Sequence, residues 1–237
     1  DGKGEGYLLV YTDLENFKYF NRKYGYAAGD QLLREFTGYI IDTLKKRNTA
    51  HFTRVVADQF ILFFEEKWNN DSIEAIKRIN NGFIERQQRK YPEAKLRLRT
   101  GVYKVEKDCD GASFAIDAAN YARRQIQDNS PETVCVYDKT MADLQNMENE
   151  IAIGLDKAIK NKEFKIYLQP RFSLTTGKIV GAESLVRWQR EDGTILPPDS
   201  FIPVYEKNGR IIDLDFYMFE ETVKLLANWK EQGIPQR

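Results

Sequence analysis

The order in which strand-like and helix-like patterns follow one another over residues 1–138 constrains the fold more than any other feature. Short runs rich in β-branched and aromatic residues predict strands, and apolar residues spaced three or four apart predict amphipathic helices. In chain order, the patterns predict a strand at YLLVYTDL, a helix at QLLREFTGYIIDTLKKR, hairpin strands at about 51–56 and 58–64, a helix at SIEAIKRINNGFIERQQRKY, a strand at LRLRTGVYKV, a helix at SFAIDAANYARRQI and a short strand at TVCVYD. This order is typical of a ferredoxin-like, split βαβ arrangement, an antiparallel sheet with helices on one face.

The pattern changes after Asp138, although the composition does not. Residues 139–150 belong to one long predicted helix and form a connector. Residues 151–237 carry further strand and helix patterns, including EFKIYLQP and IVGAESLVRW. We therefore expect an α+β protein in which domains at 1–138 and 151–237 are joined by a helical connector.

Composition limits the classes of partner. Lys plus Arg is 36 and Asp plus Glu is 36, and this balance gives no support to binding of a nucleic acid polymer or a membrane surface. Cys109 and Cys135 form no CxxC pair, so a disulfide framework or zinc site is not expected, and the cytoplasm fits best. No apolar run approaches the roughly 20 residues of a spanning helix. We interpret the opening DGKGEG as a cut from a longer protein, which could itself be membrane-anchored, or as a linker scar.

Two acids stand where strands are predicted to end. Asp13 ends the first strand, and Asp58 lies at the corner of the hairpin. If the two strands are neighbours, both carboxylates meet at one edge of the sheet and could bind Mg²⁺. A helix starting near Glu15 would point its amides at an anion, with Lys18 placed to reach a phosphate. The simpler alternative is that both acids are merely solvated.

The spacing around these acids resembles the GGDEF family. DLENFKYFNRKYGYAAGD follows the family pattern D-x-D-x-F-K-x-x-N-D-x-x-G-H-x-x-G-D, RVVADQF falls where the family has R-x-G-G-D-E-F, and DAANYARR falls where it has D-x-A-L-Y-x-A-K. The resemblance covers about residues 1–138. It implies a fold similar to the palm of adenylyl cyclases and polymerases, and an activity that joins two GTP molecules into cyclic di-GMP with two metal ions.

The resemblance also implies roles for individual residues. Asp13 and Asp58 would be metal ligands, Asn21 and Asp30 would read the guanine edge, and Lys18 and Arg124 would contact phosphates. A carboxylate suits guanine because it can accept hydrogen bonds from two neighbouring N–H donors. For Asn21 and Asp30 the alternative is helix capping, with Asp30 as the N-cap of the helix at QLLREF.

The sequence departs from the family at the hairpin corner. Val56 and Ala57 replace two glycines that would let the backbone approach a nucleotide, and Gln59 replaces the glutamate. Glu15 replaces the second aspartate of the first motif. We therefore expect diguanylate cyclase activity to be absent or very weak, and we name no catalytic residue. Arg47 is kept where the family has an inhibitory R-x-x-D site, but the acid is missing; a helix C-terminal cation is the alternative.

The second region resembles the start of an EAL domain, the cyclic di-GMP phosphodiesterase. The family's E-A-L is ESL here, so Glu183 would be a metal ligand, with Gln169 and Arg187 on the substrate. A barrel of this type needs about 250 residues, so we expect an incomplete barrel without phosphodiesterase activity. Apolar side chains, including Phe201, Ile202, Leu214, Met218 and Trp229, would then need partners in the first domain or in a homodimer.

These inferences predict a bacterial cyclic di-GMP signalling protein. Its degenerate GGDEF domain would be a regulatory or dimerisation module that binds GTP, weakly assisted by Mg²⁺, and it would bias the attached EAL domain between conformations. Two alternatives remain. The first is an active diguanylate cyclase that tolerates the altered corner. The second is a scaffold that binds no nucleotide. Binding of GTP or cyclic di-GMP and turnover of GTP would separate them.

Overall fold

The computed structural model describes residues 6–45, 50–65, 70–128 and 130–234. The chain divides into two compact units, Asp1–Ala142 and Asp143–Arg237. Its elements in chain order are β1 (Tyr7–Glu15), α1 (Phe17–Tyr24), α2 (Tyr26–Leu44), β2 (His51–Val56), β3 (Gln59–Glu65), α3 (Asn70–Lys90), β4 (Arg97–Lys104), α4 (Ala112–Arg124), β5 (Val134–Val136), α5 (Lys139–Lys160), β6 (Phe164–Phe172), β7 (Ile179–Gln189), β8 (Ile195–Leu196), α6 (Pro198–Asn208) and α7 (Ile211–Glu231).

The first unit is built on a five-stranded sheet in the order β2-β3-β1-β4-β5. The central strand β1 is antiparallel to β3 and to β4, and β2 is antiparallel to β3. These four strands confirm the predicted ferredoxin-like order. The short β5 adds a parallel strand beside β4, because α4 carries the chain back along the sheet as a parallel connection requires.

Helices cover both faces of this sheet, so the prediction of helices on one face was wrong. On one face, Leu8 and Val10 of β1 belong to the core that includes residues of α2 and α3. On the other face, Leu9 and Tyr11 pack with alanines of α4. The physical reason lies in β1 itself, whose YLLVY run is apolar at consecutive positions, so that both of its faces must be buried.

Helix α4 is in close backbone contact with β4 at Gly101. A Cβ atom on Gly101 would lie 1.8 Å from the carbonyl oxygen of Ala119 and 2.5 Å from the backbone nitrogen of Arg123. Only glycine permits this contact between backbones. The contact fixes which residues of α4 face the end of β1.

The second unit has an open three-stranded sheet in the order β6-β7-β8, with both pairings antiparallel. Its strands, as far as the structure describes them, form no closed barrel. The expectation that Phe201 and Leu214 would need partners outside this unit was wrong, because their side chains are 0% and 1% exposed. They pack in one core with residues of α5, β6, β7 and α6, namely Ile151, Leu155, Ala158, Phe164, Trp188 and Tyr205.

Ile202 and Met218 are partly buried against the same core. Trp229 is half-buried in α7. Across the described ranges, no helix has both the length and the apolar character needed to span a bilayer.

Candidate functional site at the β2–β3 corner

The corner between β2 and β3 is a two-residue turn made by Ala57 and Asp58. Ala57 has a φ angle of +48°, a left-handed conformation that glycine or asparagine usually adopts. Two hydrogen bonds hold the turn: Arg54 Nε donates to the carbonyl oxygen of Ala57, and the backbone N–H of Leu14 donates to the carbonyl oxygen of Asp58 at 3.2 Å. The corner is therefore fastened to the end of β1.

The structure brings Asp13 and Asp58 together at this edge. Asp13 lies opposite Gln59 in the β1–β3 register, so Asp58 is next to the end of β1. Burial raises the pKa of both carboxyl groups, and the charge of Asp58 raises the pKa of Asp13 further. Lys18 and Arg123 are close enough to oppose the rise in the pKa of Asp58. The two acids thus share a partly desolvated, mixed-charge site.

Asp13 already has a cationic partner within the chain. Arg123 Nη1 of α4 donates to Asp13 Oδ2 at 2.9 Å, and the two side chains are 12% and 20% exposed. The same guanidinium lies 5.6 Å from the ring centroid of Tyr11, and its Nε donates to Asn120 Oδ1 at 3.0 Å. Arg123 is therefore held in place by three different contacts.

Gln59 is bound in the same network. The hydroxyl of Tyr11 donates to Gln59 Oε1 at 2.7 Å. Burial is the main cause of the raised pKa of the Tyr11 hydroxyl, which favours its protonated, donating form. An amide can accept this bond but can neither carry the charge of a carboxylate nor take up a proton.

Glu15 is paired too, so it does not replace the missing aspartate as a free ligand. Arg99 donates to both of its carboxylate oxygens, from Nε at 2.8 Å and from Nη2 at 2.7 Å. Arg97 Nη1 lies 3.8 Å from Glu15 Oε2, and Arg99 also forms an ion pair with Asp128. Such a bidentate arginine–carboxylate pair has a specific geometry.

Helix α1 begins at Phe17 instead of near Glu15, because β1 continues through Glu15. Asn16, with a φ angle of +68°, makes the bend between them, and its Nδ2 donates to the carbonyl oxygen of Lys95 at 2.9 Å. Lys18 lies in the first turn, exposed, and near enough to Asp58 to lower the pKa of that carboxyl group.

Neither Asn21 nor Asp30 caps a helix, so the capping alternatives were wrong. Asn21 lies inside α1, and Asp30 lies inside α2, which begins at Tyr26 because Gly25 adopts a φ angle of +87° between the two helices. Asn21 packs on Gly29, where a Cβ atom would come within 1.8 Å of Asn21 Oδ1. This Oδ1 is buried, and no hydrogen-bond partner is found for it among the described residues.

Asp30 is exposed at a hollow of about 210 Å³, which is also lined by Leu33, Arg34, Thr37 and Arg54. Arg124 is exposed as well, and its guanidinium lies 5.8 Å from the ring centroid of Tyr121. Sequence reasoning selected Arg124 and missed Arg123, Tyr11 and Arg99. The signal for Arg123 was present, because it stands where the family pattern quoted above has alanine. Arg47 lies outside the described residues.

The three candidate residues of the second unit share one face of its sheet. Gln169 lies opposite Glu183 in the β6–β7 register, and Arg187 is four residues further along β7. Side chains alternate between the faces of a strand, so all three lie opposite the core face that carries Trp188. The guanidinium of Arg187 lies 5.7 Å from the ring centroid of Tyr167 on that polar face.

The residues present do not fit a two-metal centre. Within the described ranges, no group of three or more His, Cys, Asp or Glu side chains is arranged to hold a metal ion. Two-metal chemistry needs several carboxylates around one site, whereas Asp13 is paired with Arg123 and position 59 is an amide.

Comparison with known families decides the identity of the first unit. The model of the diguanylate cyclase GGDEF domain matches residues 2–131. The chain belongs to the GGDEF family. The EAL domain model matches residues 154–237, so an EAL segment follows the GGDEF domain, as in cyclic di-GMP signalling proteins.

Curated relatives share this organisation at low identity. The bifunctional diguanylate cyclase/cyclic di-GMP phosphodiesterase MucR of Pseudomonas aeruginosa is 22% identical over 96% of this chain and 33% of its own length. The biofilm architecture maintenance protein MbaA of Vibrio cholerae is 28% identical, over 94% of this chain and 30% of MbaA. The cyclic di-GMP phosphodiesterase PdeR of Escherichia coli is 27% identical, over 97% of this chain and 34% of PdeR. The chain spans about a third of the length of these relatives.

Two solved structures, one with the GGDEF–EAL domain order and one of a GGDEF domain alone, are similar as well. The Vibrio cholerae LapD S helix-GGDEF-EAL structure bound to c-di-GMP matches 95% of this chain and 52% of that chain, with 18% identity and a TM-score of 0.49. The GGDEF domain of DgcB from Caulobacter crescentus, in complex with c-di-GMP, matches 55% of this chain and 77% of that chain, with 16% identity and a TM-score of 0.46.

Proposed function

We propose that the GGDEF domain of this chain is a regulatory module that does not synthesise cyclic di-GMP. The observation that carries the proposal is the pairing of Asp13 with Arg123 at 2.9 Å, because it occupies a carboxylate that metal-assisted phosphoryl transfer would require. Gln59 supports it, since its amide is bonded to Tyr11 and cannot act as a base.

The module would still bind a guanine nucleotide. Asn21 Oδ1 is a buried acceptor without a partner among the described residues, a state that costs free energy unless a ligand satisfies it. We assign Asn21 and Asp30 to the guanine edge, and Lys18 and Arg124 to the phosphates. Magnesium would contribute weakly, through Asp58 and the phosphate oxygens of the nucleotide.

Nucleotide binding would bias the attached EAL segment by favouring one conformation of the parent protein. In that segment, Gln169, Arg187 and Glu183 would form the part of a cyclic di-GMP site that lies on β6 and β7. We also propose that the protein is a cytoplasmic homodimer. Light scattering tests the dimer, and titration of cyclic di-GMP into the chain, compared with a Glu183→Gln, Arg187→Ala variant, tests the second site.

Calorimetric titration of GTP, with and without Mg²⁺, tests the first site. We expect GTP to bind and ATP to bind at least about tenfold more weakly, because adenine cannot donate two hydrogen bonds to one carboxylate. Asp30→Asn should weaken GTP binding, whereas Asp42→Asn, an exposed change on the same helix, should not. No binding at millimolar GTP would overturn the nucleotide proposal and favour a protein-contact scaffold.

Turnover separates the regulatory proposal from an active cyclase. The purified chain is incubated with GTP and Mg²⁺ or Mn²⁺, and the products are separated by chromatography. We expect neither linear nor cyclic guanylate dimers. If the chain forms such dimers, and an Asp58→Asn variant does not, the proposal of a non-catalytic module is overturned.

A further inference from the structure

We infer that Arg123 is a built-in counter-ion that takes the place of a divalent cation at Asp13, so that the acidic edge is neutralised without metal. The inference deepens the proposed function, since it rests on Asp13 and Asp58 forming the candidate site. It explains how a GGDEF domain can keep its two acids while not fitting a two-metal centre.

The first line of support is the placement of the guanidinium. Arg123 donates to Asp13 at 2.9 Å, lies over the ring of Tyr11 at 5.6 Å and donates to Asn120 at 3.0 Å. A flexible surface ion pair contributes little because ordering two long side chains costs entropy. Here the arginine is held by an aromatic face and a second hydrogen bond, so little further ordering is needed.

The second line of support is the backbone beneath the arginine. The nitrogen of Arg123 would lie 2.5 Å from a Cβ atom on Gly101, so at this residue α4 is in direct backbone contact with β4. Gly101 and Tyr11 are directly opposite in the β1–β4 register. Packing on the sheet therefore fixes the position of the Arg123 backbone, and with it the direction from which the side chain reaches Asp13.

The third line of support is the sequence position. In DAANYARR, Arg124 stands at the lysine of the pattern D-x-A-L-Y-x-A-K, and Arg123 stands at the alanine before it. An alanine side chain ends at its Cβ atom and could not reach a carboxylate. The ion pair is thus a feature that this chain adds to the pattern.

The electrostatic consequence follows from the proximity of the two acids. Asp13 lies opposite Gln59 in the β1–β3 register and Leu14 is hydrogen-bonded to Asp58, so the two acids are neighbours, and a nearby cation offsets the repulsion between their charges. A divalent ion could supply the charge only by displacing the guanidinium, which would leave Arg123 buried without its partner at an energetic cost. Metal affinity in the absence of nucleotide should therefore be low.

Titration of Mn²⁺ into the full chain without nucleotide, followed by calorimetry and by thermal unfolding, tests the inference. We expect no binding to the unaltered chain at sub-millimolar Mn²⁺. Arg123→Ala frees the Asp13 carboxylate and should tighten Mn²⁺ binding at least about tenfold. The variant should unfold at a lower temperature without metal, and Mn²⁺ should raise that temperature.

Three further variants make the test specific. Arg89→Ala, which removes an exposed arginine of α3, should leave Mn²⁺ affinity unchanged. Arg123→Gln removes the positive charge but keeps a polar side chain, should tighten Mn²⁺ binding as Arg123→Ala does, and serves if Arg123→Ala does not fold. Asp13→Asn combined with Arg123→Ala should abolish the gained affinity.

Tight Mn²⁺ binding by the unaltered chain would overturn the inference, and so would an Arg123→Ala gain that survives Asp13→Asn. Equal affinities of the unaltered chain and a folded Arg123→Ala variant would also overturn it. These results are distinguishable from failure of the proposed function, because no nucleotide is present. Absence of GTP binding would leave the metal competition at Asp13 unaffected.

Discussion

At the scale of single residues, the candidate site is defined by which polar groups already have partners. The carboxylates of Asp13 and Glu15 are bonded to arginines, and the amide of Gln59 is bonded to Tyr11. Asn21 Oδ1 differs, since it is buried without a partner in the described part of the chain. A paired group stabilises the fold, whereas a buried acceptor without a partner costs free energy.

The contact between Gly29 and Asn21 gives a first prediction. Gly29→Ala would place a Cβ atom 1.8 Å from Asn21 Oδ1, and we expect it to lower the free energy of unfolding by about 1–3 kcal/mol and to weaken GTP binding. Gly38→Ala is the matched control on the same helix, because nothing lies within 4 Å of a Cβ atom there. It should raise stability by up to about 1 kcal/mol. Urea denaturation measures both, and equal effects would contradict the prediction.

The charge of Asp58 gives a second prediction, on pH dependence. Burial raises the pKa of Asp58 above its ordinary value of 3.8, so its protonated form is favoured by folding. The stability linked to this group is complete below that value and is lost as pH rises through the folded pKa. Asp58→Asn should therefore raise the free energy of unfolding at pH 7, by up to about 1 kcal/mol.

Urea denaturation of this variant and of the unaltered chain, at pH 7 and again near pH 3.5, measures the effect. The difference between the two proteins should shrink at the lower pH, because Asp58 is then protonated in both the folded and the unfolded chain. Asp42→Asn, at an exposed position, is the control and should change little. A loss of stability at pH 7 in Asp58→Asn would contradict the assignment.

At the scale of elements, the close contact between β4 and α4 controls where Arg123 points. Gly101→Ala would place a Cβ atom 1.8 Å from the carbonyl oxygen of Ala119, and two backbones cannot separate without moving the helix. We expect a loss of about 3 kcal/mol or more in the free energy of unfolding. Gly181→Ala in β7, where a Cβ atom meets nothing within 4 Å, is the control and should not destabilise. Thermal unfolding followed by circular dichroism separates the two outcomes.

The contact between Gly101 and α4 also shows where prediction from sequence reaches its limit. Strand order and the meeting of Asp13 with Asp58 follow from apolar patterns and from where the strands end. The choice between Arg123 and Arg124 depends on the rotation of α4 about its axis. That rotation is set by tertiary packing on Gly101, and its one sign in the sequence is that Arg123 stands where the family pattern has alanine. Sequence-based roles for Arg124, Asn21 and Asp30 stay predictions.

Helix boundaries near the site were the least predictable elements. α1 has only eight residues, and its separation from α2 depends on the φ angle of +87° at Gly25. The apolar periodicity from Leu32 onward is strong, so a start close to Asp30 was inferred, although α2 begins at Tyr26. Helix ends are set by such single backbone conformations more than by periodicity.

At the scale of the whole molecule, each unit has a hydrophobic core of its own. Phe83 is 1% exposed in the core of the first unit, and Phe201 is 0% exposed in the core of the second. Units with separate cores can unfold separately. Regulation of an EAL segment by a GGDEF domain would then act on the arrangement of units that each stay folded.

Phe201→Ala tests this independence. Removing a fully buried aromatic ring should cost about 3–5 kcal/mol in the second unit. Hydrogen exchange read by mass spectrometry should show faster exchange in Asp143–Arg237, while the strands of the first unit, β1 above all, keep their protection. Phe216→Ala in α7, whose side chain is 72% exposed, is the matched control and should change stability by no more than about 0.5 kcal/mol. Loss of protection in β1 as well would mean that the two cores unfold together, and the change that GTP is proposed to transmit would then have to pass through a single cooperative fold.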